Sequence, residues 1–194
     1  KWDFVELPSQ IQENWVYEPE TLGLIAGHYQ TGAPLPDDLI AKLREAQQYM
    51  SGLQGLRQMS FSLLDMTWYT TAPDHAPKTP DEVLAFEDRV MQDVTLFPRL
   101  AGPSSTSFGH IFGGGYSAGY YSYKWAEVLD ADAFDYFKQR GAVNGTGLYD
   151  PTTAATYRRE ILSRGGSEDP NLLYERFRGQ SATKNALLKR EGIQ

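Results

Sequence analysis

The sequence contains no cysteine. That absence removes disulfides, thiolate metal sites and cysteine nucleophiles together. Histidine is almost as scarce: His28, His75 and His110 are the only three, and no two stand at the HxxxH spacing that sets a pair of imidazoles on one helix face. No apolar run approaches the roughly 20 residues that a membrane span needs, and the opening Lys1-Trp2-Asp3-Phe4-Val5-Glu6 is not a signal peptide. Positive charge is also short. With 25 acidic against 18 basic side chains the formal charge is -7, so a nucleic-acid footprint would need a local patch. The longest basic cluster, Lys189-Arg190, is broken by Glu191 and reads as a helix C-terminus, where cations suit the macrodipole. Neither nucleic acid nor membrane is an expected partner. An initiator Met is missing too, and a chain that opens on Lys and turns at once into an apolar segment reads as cut from something longer.

What is present is enough for a core. Apolar residues make up 41% of the chain and charged ones 22%, which argues against disorder over most of its length. At 194 residues one compact unit is the simplest expectation. Helical spacing dominates. Ile11, Trp15, Leu22 and Ile25 predict one or two helices over about 9–30, split or kinked at Pro19. Pro36-Asp37-Asp38 opens a helix carrying Leu39, Ile40, Leu43, Ala46 and Met50 and ending near Gly52. The stretch 53–69 is apolar on more than one face, as a buried helix is. Thr79-Pro80-Asp81-Glu82 is a capped helix start, followed by Val83, Phe86, Val90 and Val94. Residues 97–107, rich in Gly, Pro, Ser and Thr, should be irregular and mobile unless tertiary contacts hold them. A long helix is predicted from near Tyr116 toward Gln139, ended by Gly141, and shorter ones over about 151–163, 170–178 and 183–190. No segment shows period-2 alternation with turn signals at both ends, so the fold class is all-α.

The most unusual local sequence runs from Phe108 to Trp125. Gly113-Gly114-Gly115 permits a flexible backbone and close approach of a ligand. On a following helix Tyr116, Tyr120 and Tyr123 fall at i, i+4 and i+7, so their phenols share a face, with Tyr121 and Trp125 on another. A phenol in a partly dry cleft can donate to a developing oxyanion, and His110 could bind a substrate carbonyl or a phosphate. The plainer alternative is a Gly-rich turn leading into an aromatic core helix. A phosphate loop is disfavoured, because no Gly-Lys-Ser/Thr follows the glycines and no strand precedes them.

His110-Ile111-Phe112-Gly113-Gly114-Gly115-Tyr116 with Ala118-Gly119-Tyr120-Tyr121 resembles the Gly-rich loop and tyrosine helix of the thimet oligopeptidase and peptidyl-dipeptidase family of zinc metallopeptidases, in its dipeptidyl carboxypeptidase and oligopeptidase A branches. Further matches follow in the family's order. Asp3-Phe4-Val5-Glu6-Leu7-Pro8-Ser9-Gln10 with Glu13-Asn14-Trp15 resembles its third-ligand helix, and His28-Tyr29-Gln30-Thr31-Gly32 comes after it. Leu63-Leu64-Asp65-Met66 with Trp68, then Ser163-Arg164-Gly165-Gly166-Ser167-Glu168-Asp169 and Arg176-Phe177-Arg178-Gly179, also match, and Gly192-Ile193 resembles the family's C-terminus. One position departs: the family's histidine after the Trp is Tyr69 here, which leaves its role open.

The resemblance implies that residues 1–194 are the multi-helical C-terminal part of a zincin-type catalytic domain. It implies Glu6 as one ligand of a catalytic Zn2+, two further ligands and the general base coming from an HExxH helix upstream of Lys1. An isolated Glu is otherwise a solvated surface residue. The resemblance further implies Tyr123 and Tyr116 as oxyanion and substrate-backbone donors, His110 on a neighbouring peptide carbonyl, Tyr120 in support, and Gly113, Gly114 and Gly115 along the substrate. The partners implied are short peptides and the N-terminal portion of the same enzyme, and the compartment is the cytoplasm, with the periplasm as alternative. One carboxylate does not hold zinc at useful affinity, so the chain alone is expected to be inactive. Two other functions stay open: a helical peptide-binding or regulatory module without a zinc site, and an ordinary helical structural domain.

Overall fold

The structure, a computed structural model, describes residues 1–98 and 102–193. In chain order its helices are α1 (Leu7–Glu13), α2 (Pro19–Ile25), α3 (Asp37–Gln48), α4 (Ser51–Thr70), α5 (Pro80–Met91), α6 (Gly109–Phe112), α7 (Ser122–Asn144), α8 (Pro151–Tyr157), α9 (Pro170–Arg178) and α10 (Asn185–Arg190). A π-turn, Arg158–Leu162, continues α8. Among the described residues the only β pairing is an isolated bridge between Gly27 and Pro34, so the fold is all-α, as expected.

The chain folds into two compact units where its length suggested one. The first holds Lys1, Asp3–Tyr49 and the chain from Trp125 onward; the second holds Trp2 and Met50–Lys124. Two separate apolar clusters account for the division. In the first unit Leu7 and Ile11 of α1, Leu129, Phe134 and Phe137 of α7, Tyr157, Ile161, and Leu173, Tyr174 and Phe177 of α9 form one buried core. Leu7 and Ile11, Phe134 and Phe137, Tyr157 and Ile161, and Tyr174 and Phe177 each stand three or four residues apart, which brings the members of each pair to one helix face. In the second unit the cluster is smaller: Leu64, Phe86, Phe108 and Ile111, with Phe61, Trp68, Val90, Met91 and Tyr120 packed against it.

Helix starts follow local chemistry. At α5 the Glu82 amide donates to Thr79 Oγ1 at 3.3 Å and the Thr79 amide to Glu82 Oε2 at 3.1 Å, the reciprocal cap that Thr79-Pro80-Asp81-Glu82 predicts. Those backbone donors, with the Lys78 amide first among them, hold the Glu82 carboxyl below its ordinary value. Asp150 caps α8 by accepting from the Thr153 amide at 2.8 Å, and Asp169 caps α9 through the Asn171 amide at 2.9 Å.

Several boundaries differ from the sequence reading. The helix expected to carry Met50 and end near Gly52 stops at Gln48, because Met50 takes φ 55° and α4 begins at Ser51. The 9–30 segment breaks around Tyr17 and Pro19, as Pro19 requires, but α2 ends at Ile25; His28 then accepts from the amides of Gln30 and Thr31 in a tight loop. The long helix begins at Ser122, because Ala118 adopts φ 51°, a left-handed conformation that ends any helix register from Tyr116. At its other end α7 passes through Gly141. A Cβ there would stand 1.7 Å from the Gly147 carbonyl oxygen, so glycine admits a close backbone approach and does not stop the helix.

Candidate active site

The second unit gathers His110, Tyr116, Tyr120 and Tyr123. The Tyr116 and Tyr123 rings stack at 4.8 Å with 24° between planes, and Tyr120 lies 5.2 Å from Tyr123. His110 approaches Tyr116, Tyr120 and Tyr123 at 5.8, 5.6 and 6.0 Å. The imidazole and Gly113, Gly114 and Gly115 are exposed, while the three phenol-bearing residues are half-buried. Burial, and then the neighbouring Tyr123, push the Tyr120 phenol above its ordinary value of 10.0, so it stays a protonated donor at neutral pH.

The tyrosines come together without the helical face that their spacing suggests. Residues 116–121 form a succession of turns, with the Gly119 amide donating to the Tyr116 carbonyl at 2.9 Å and the Ser122 amide to the Gly119 carbonyl at 3.0 Å. Before them the glycine loop folds tightly over α6. A Cβ on Gly114 would meet His110 Cα at 2.9 Å, and Gly115 has φ 87°, so side chains are excluded at both positions. The indole of Trp2, a member of this unit, meets Tyr116 edge-on at 5.2 Å and lies against Gly115 and Gly119. Trp2 went unremarked in the sequence, where nothing marks it off from any other apolar residue near a chain start.

The helices supply anchors: Asp65, which the sequence showed only as part of a family pattern, and Glu87, which it did not single out. Asp65 of α4 is wholly buried and accepts from the amides of Ala118 and Tyr120, each at 2.8 Å. Glu87 of α5, also wholly buried, accepts from the amides of Ser104 and Ser105 at 2.9 and 2.5 Å, and Trp68 Nε1 donates to Ser105 Oγ at 2.8 Å. The segment read as mobile unless held is therefore held at Ser104 and Ser105; 99–101 lie outside the described residues. Tyr69 and Ser117 both donate to the Ile111 carbonyl, Ser117 at 2.7 Å, which gives the departing position Tyr69 a task. A signal for Asp65 was available: an acid amid apolar residues on every side of a buried helix needs partners.

Glu6 lies in the first unit, immediately before α1, with φ -87° and ψ -9°. Its half-buried carboxylate accepts from Ser9 Oγ at 2.8 Å, and that hydroxyl also reaches the Glu6 carbonyl at 2.9 Å. A carboxylate oxygen is a suitable zinc ligand. Among the described residues no group of three or more His, Cys, Asp or Glu could hold a metal ion. No helix among them is long and apolar enough to cross a membrane.

Comparison with known proteins gives these arrangements a context. Oligopeptidase A of Escherichia coli is 43% identical over 99% of this chain, and probable cytosolic oligopeptidase A of Arabidopsis thaliana 40% identical over all of it. Dipeptidyl carboxypeptidase of Escherichia coli is 38% identical over 98%. The chain spans only 27% of the length of each. The model of peptidase family M3 matches residues 1–193, and the chain belongs to that family.

Proposed function

We propose that this chain is part of a zinc peptidase that hydrolyses short peptides, an oligopeptidase or a peptidyl-dipeptidase, and that its tyrosine turn faces the substrate. The observation that carries the reading is the grouping of one exposed imidazole and three half-buried phenols beside an exposed glycine loop. The imidazole stands within 6.0 Å of all three phenol rings, a density of hydrogen-bonding side chains that suits a site orienting a peptide backbone.

Glu6 would give one carboxylate oxygen to Zn2+, with Ser9 fixing its orientation and two imidazoles arriving from an HExxH helix in the N-terminal portion. When bound, the metal would polarise the scissile carbonyl and lower the pKa of its water. The work of this chain's other residues is to bind and orient. Tyr123 and Tyr116 donate O–H bonds to the carbonyl oxygen as it gains negative charge, where a preorganised donor is worth most. His110 contacts a neighbouring peptide carbonyl, Gly113, Gly114 and Gly115 admit the substrate backbone without side-chain interference, and Tyr120 supports Tyr123.

A chimera tests this. These 194 residues replace the matching part of Escherichia coli oligopeptidase A, and the product is assayed on a short internally quenched peptide with and without zinc. Zinc-dependent cleavage that Glu6→Ala abolishes is the expected result. A folded chimera that binds the peptide and leaves it intact would overturn the peptidase reading in favour of a peptide-binding module.

A further inference from the structure

We infer that Asp65 and Tyr69 of α4 are positioning residues for the tyrosine cluster: the helix acts as a template that fixes both ends of the 111–120 arc. Their relevance to catalysis rests on the peptidase reading above; the positioning itself does not. The two residues stand four apart, so they project from one face of α4 at successive turns.

A wholly buried carboxylate is costly unless its oxygens are satisfied. Asp65 meets that cost by accepting at Oδ1 from the Ala118 amide and at Oδ2 from the Tyr120 amide, both at 2.8 Å. These two amides bracket Gly119, and Ala118 between Tyr116 and Tyr120 sits at φ 51°, a conformation that a residue with a Cβ adopts only where its surroundings impose it. Turn geometry sets the directions in which Tyr116 and Tyr120 leave the backbone, and through them the 4.8 Å stack of Tyr116 on Tyr123. At the other end of the arc Tyr69 O–H donates to the Ile111 carbonyl, which Ser117 Oγ also reaches at 2.7 Å. The arc is thus closed on itself by Ser117 and pinned to α4 at Ile111, Ala118 and Tyr120. Glu87 offers an internal control, since it is an equally buried carboxylate holding two amides that precede the arc.

The test uses the full 194-residue chain with labelled tyrosine rings, comparing Asp65→Asn, Tyr69→Phe and Glu87→Gln. Asn at 65 keeps one acceptor and sets an N–H against the other amide. Asp65→Asn is expected to speed hydrogen exchange at Ala118 and Tyr120 by about tenfold or more and to remove the ring-to-ring nuclear Overhauser contacts between Tyr116 and Tyr123. Tyr69→Phe, which deletes a single O–H, should weaken the same ring contacts and carries the test if Asp65→Asn does not fold. Glu87→Gln should leave both signals unchanged. The inference is overturned if the ring contacts survive loss of the α4 anchors, or if Glu87→Gln abolishes them equally. Should the anchors behave as expected while the chimera fails to cleave peptide, the template survives and the peptidase reading falls.

Discussion

Both units bury acids, but they satisfy them differently. In the first unit the partners are mainly side chains from distant helices. Asp132 accepts from Tyr174 O–H at 2.8 Å and pairs with Arg178 Nε at 3.0 Å; Asp130 accepts from Asn14 Nδ2 at 2.9 Å and pairs with Arg190; Asp150 gathers Asn144, Thr146 and Thr153. In the second unit Glu87 takes the amides of Ser104 and Ser105, and Asp65 those of Ala118 and Tyr120, on either side of α6. Acids tied to distant side chains, Asp130 and Asp132, lock helix to helix, and Asp150 adds a cap through the Thr153 amide, while Asp65 and Glu87 hold turns between helices through amides alone. The difference separates a scaffold from a held loop; among the candidate substrate-facing groups, Gly113, Gly114, Gly115, Tyr116 and Tyr120 stand on that loop, His110 on α6 and Tyr123 in the first turn of α7.

Breaking the scaffold should be the costlier change. Arg178→Ala would leave Asp132, whose side chain is 4% exposed, without its cation, and a buried pair broken on one side costs about 3–5 kcal/mol. Chemical denaturation should show that loss as an earlier midpoint; a loss under about 1 kcal/mol would mean that Tyr174 and Thr183 suffice for Asp132.

A smaller effect should emerge only in acid. The side chains of Asn144 and Thr153, then the Thr153 amide and Thr146, hold the Asp150 carboxyl well below its ordinary value of 3.8. The folded chain therefore takes up this proton less readily than the unfolded one. The stabilisation is complete above that ordinary value and is lost as pH falls through the lowered folded value. Denaturation midpoints followed into acid should decline less steeply for Asp150→Asn than for the parent chain, and equal slopes would remove Asp150 from the acid response.

The two units were also unequally legible in the sequence. Elements whose signal is local were read closely: the Thr79 cap, α9 from Pro170 to Arg178, and the apolar α4. The tyrosine turn was read as helix because three tyrosines at i, i+4 and i+7 satisfy the helical period. What ends that register, a left-handed Ala118 under the buried Asp65, depends on a residue 53 positions away. The grouping of His110 with Tyr116, Tyr120 and Tyr123 was anticipated although the element beneath it was not, since a tight turn followed by α7 can bring the same rings together. The family motif Ser163–Asp169 with Arg176–Gly179 proves structural. Glu168 pairs with Arg164 and Arg176, Asp169 caps α9, Arg178 reaches Asp132, and Gly179 ends α9 at φ 85°.

In the proposed function Tyr116 of the held turn and Tyr123 in the first turn of α7 present their phenols to a substrate oxygen as it acquires charge. Steady-state kinetics of Tyr123→Phe in the oligopeptidase A chimera test that role most directly, because the change removes one O–H and leaves the stacked ring. The expected result is a fall in kcat of about 10²-fold or more with KM little changed, the pattern of a donor used in the transition state. An unaltered kcat would contradict it.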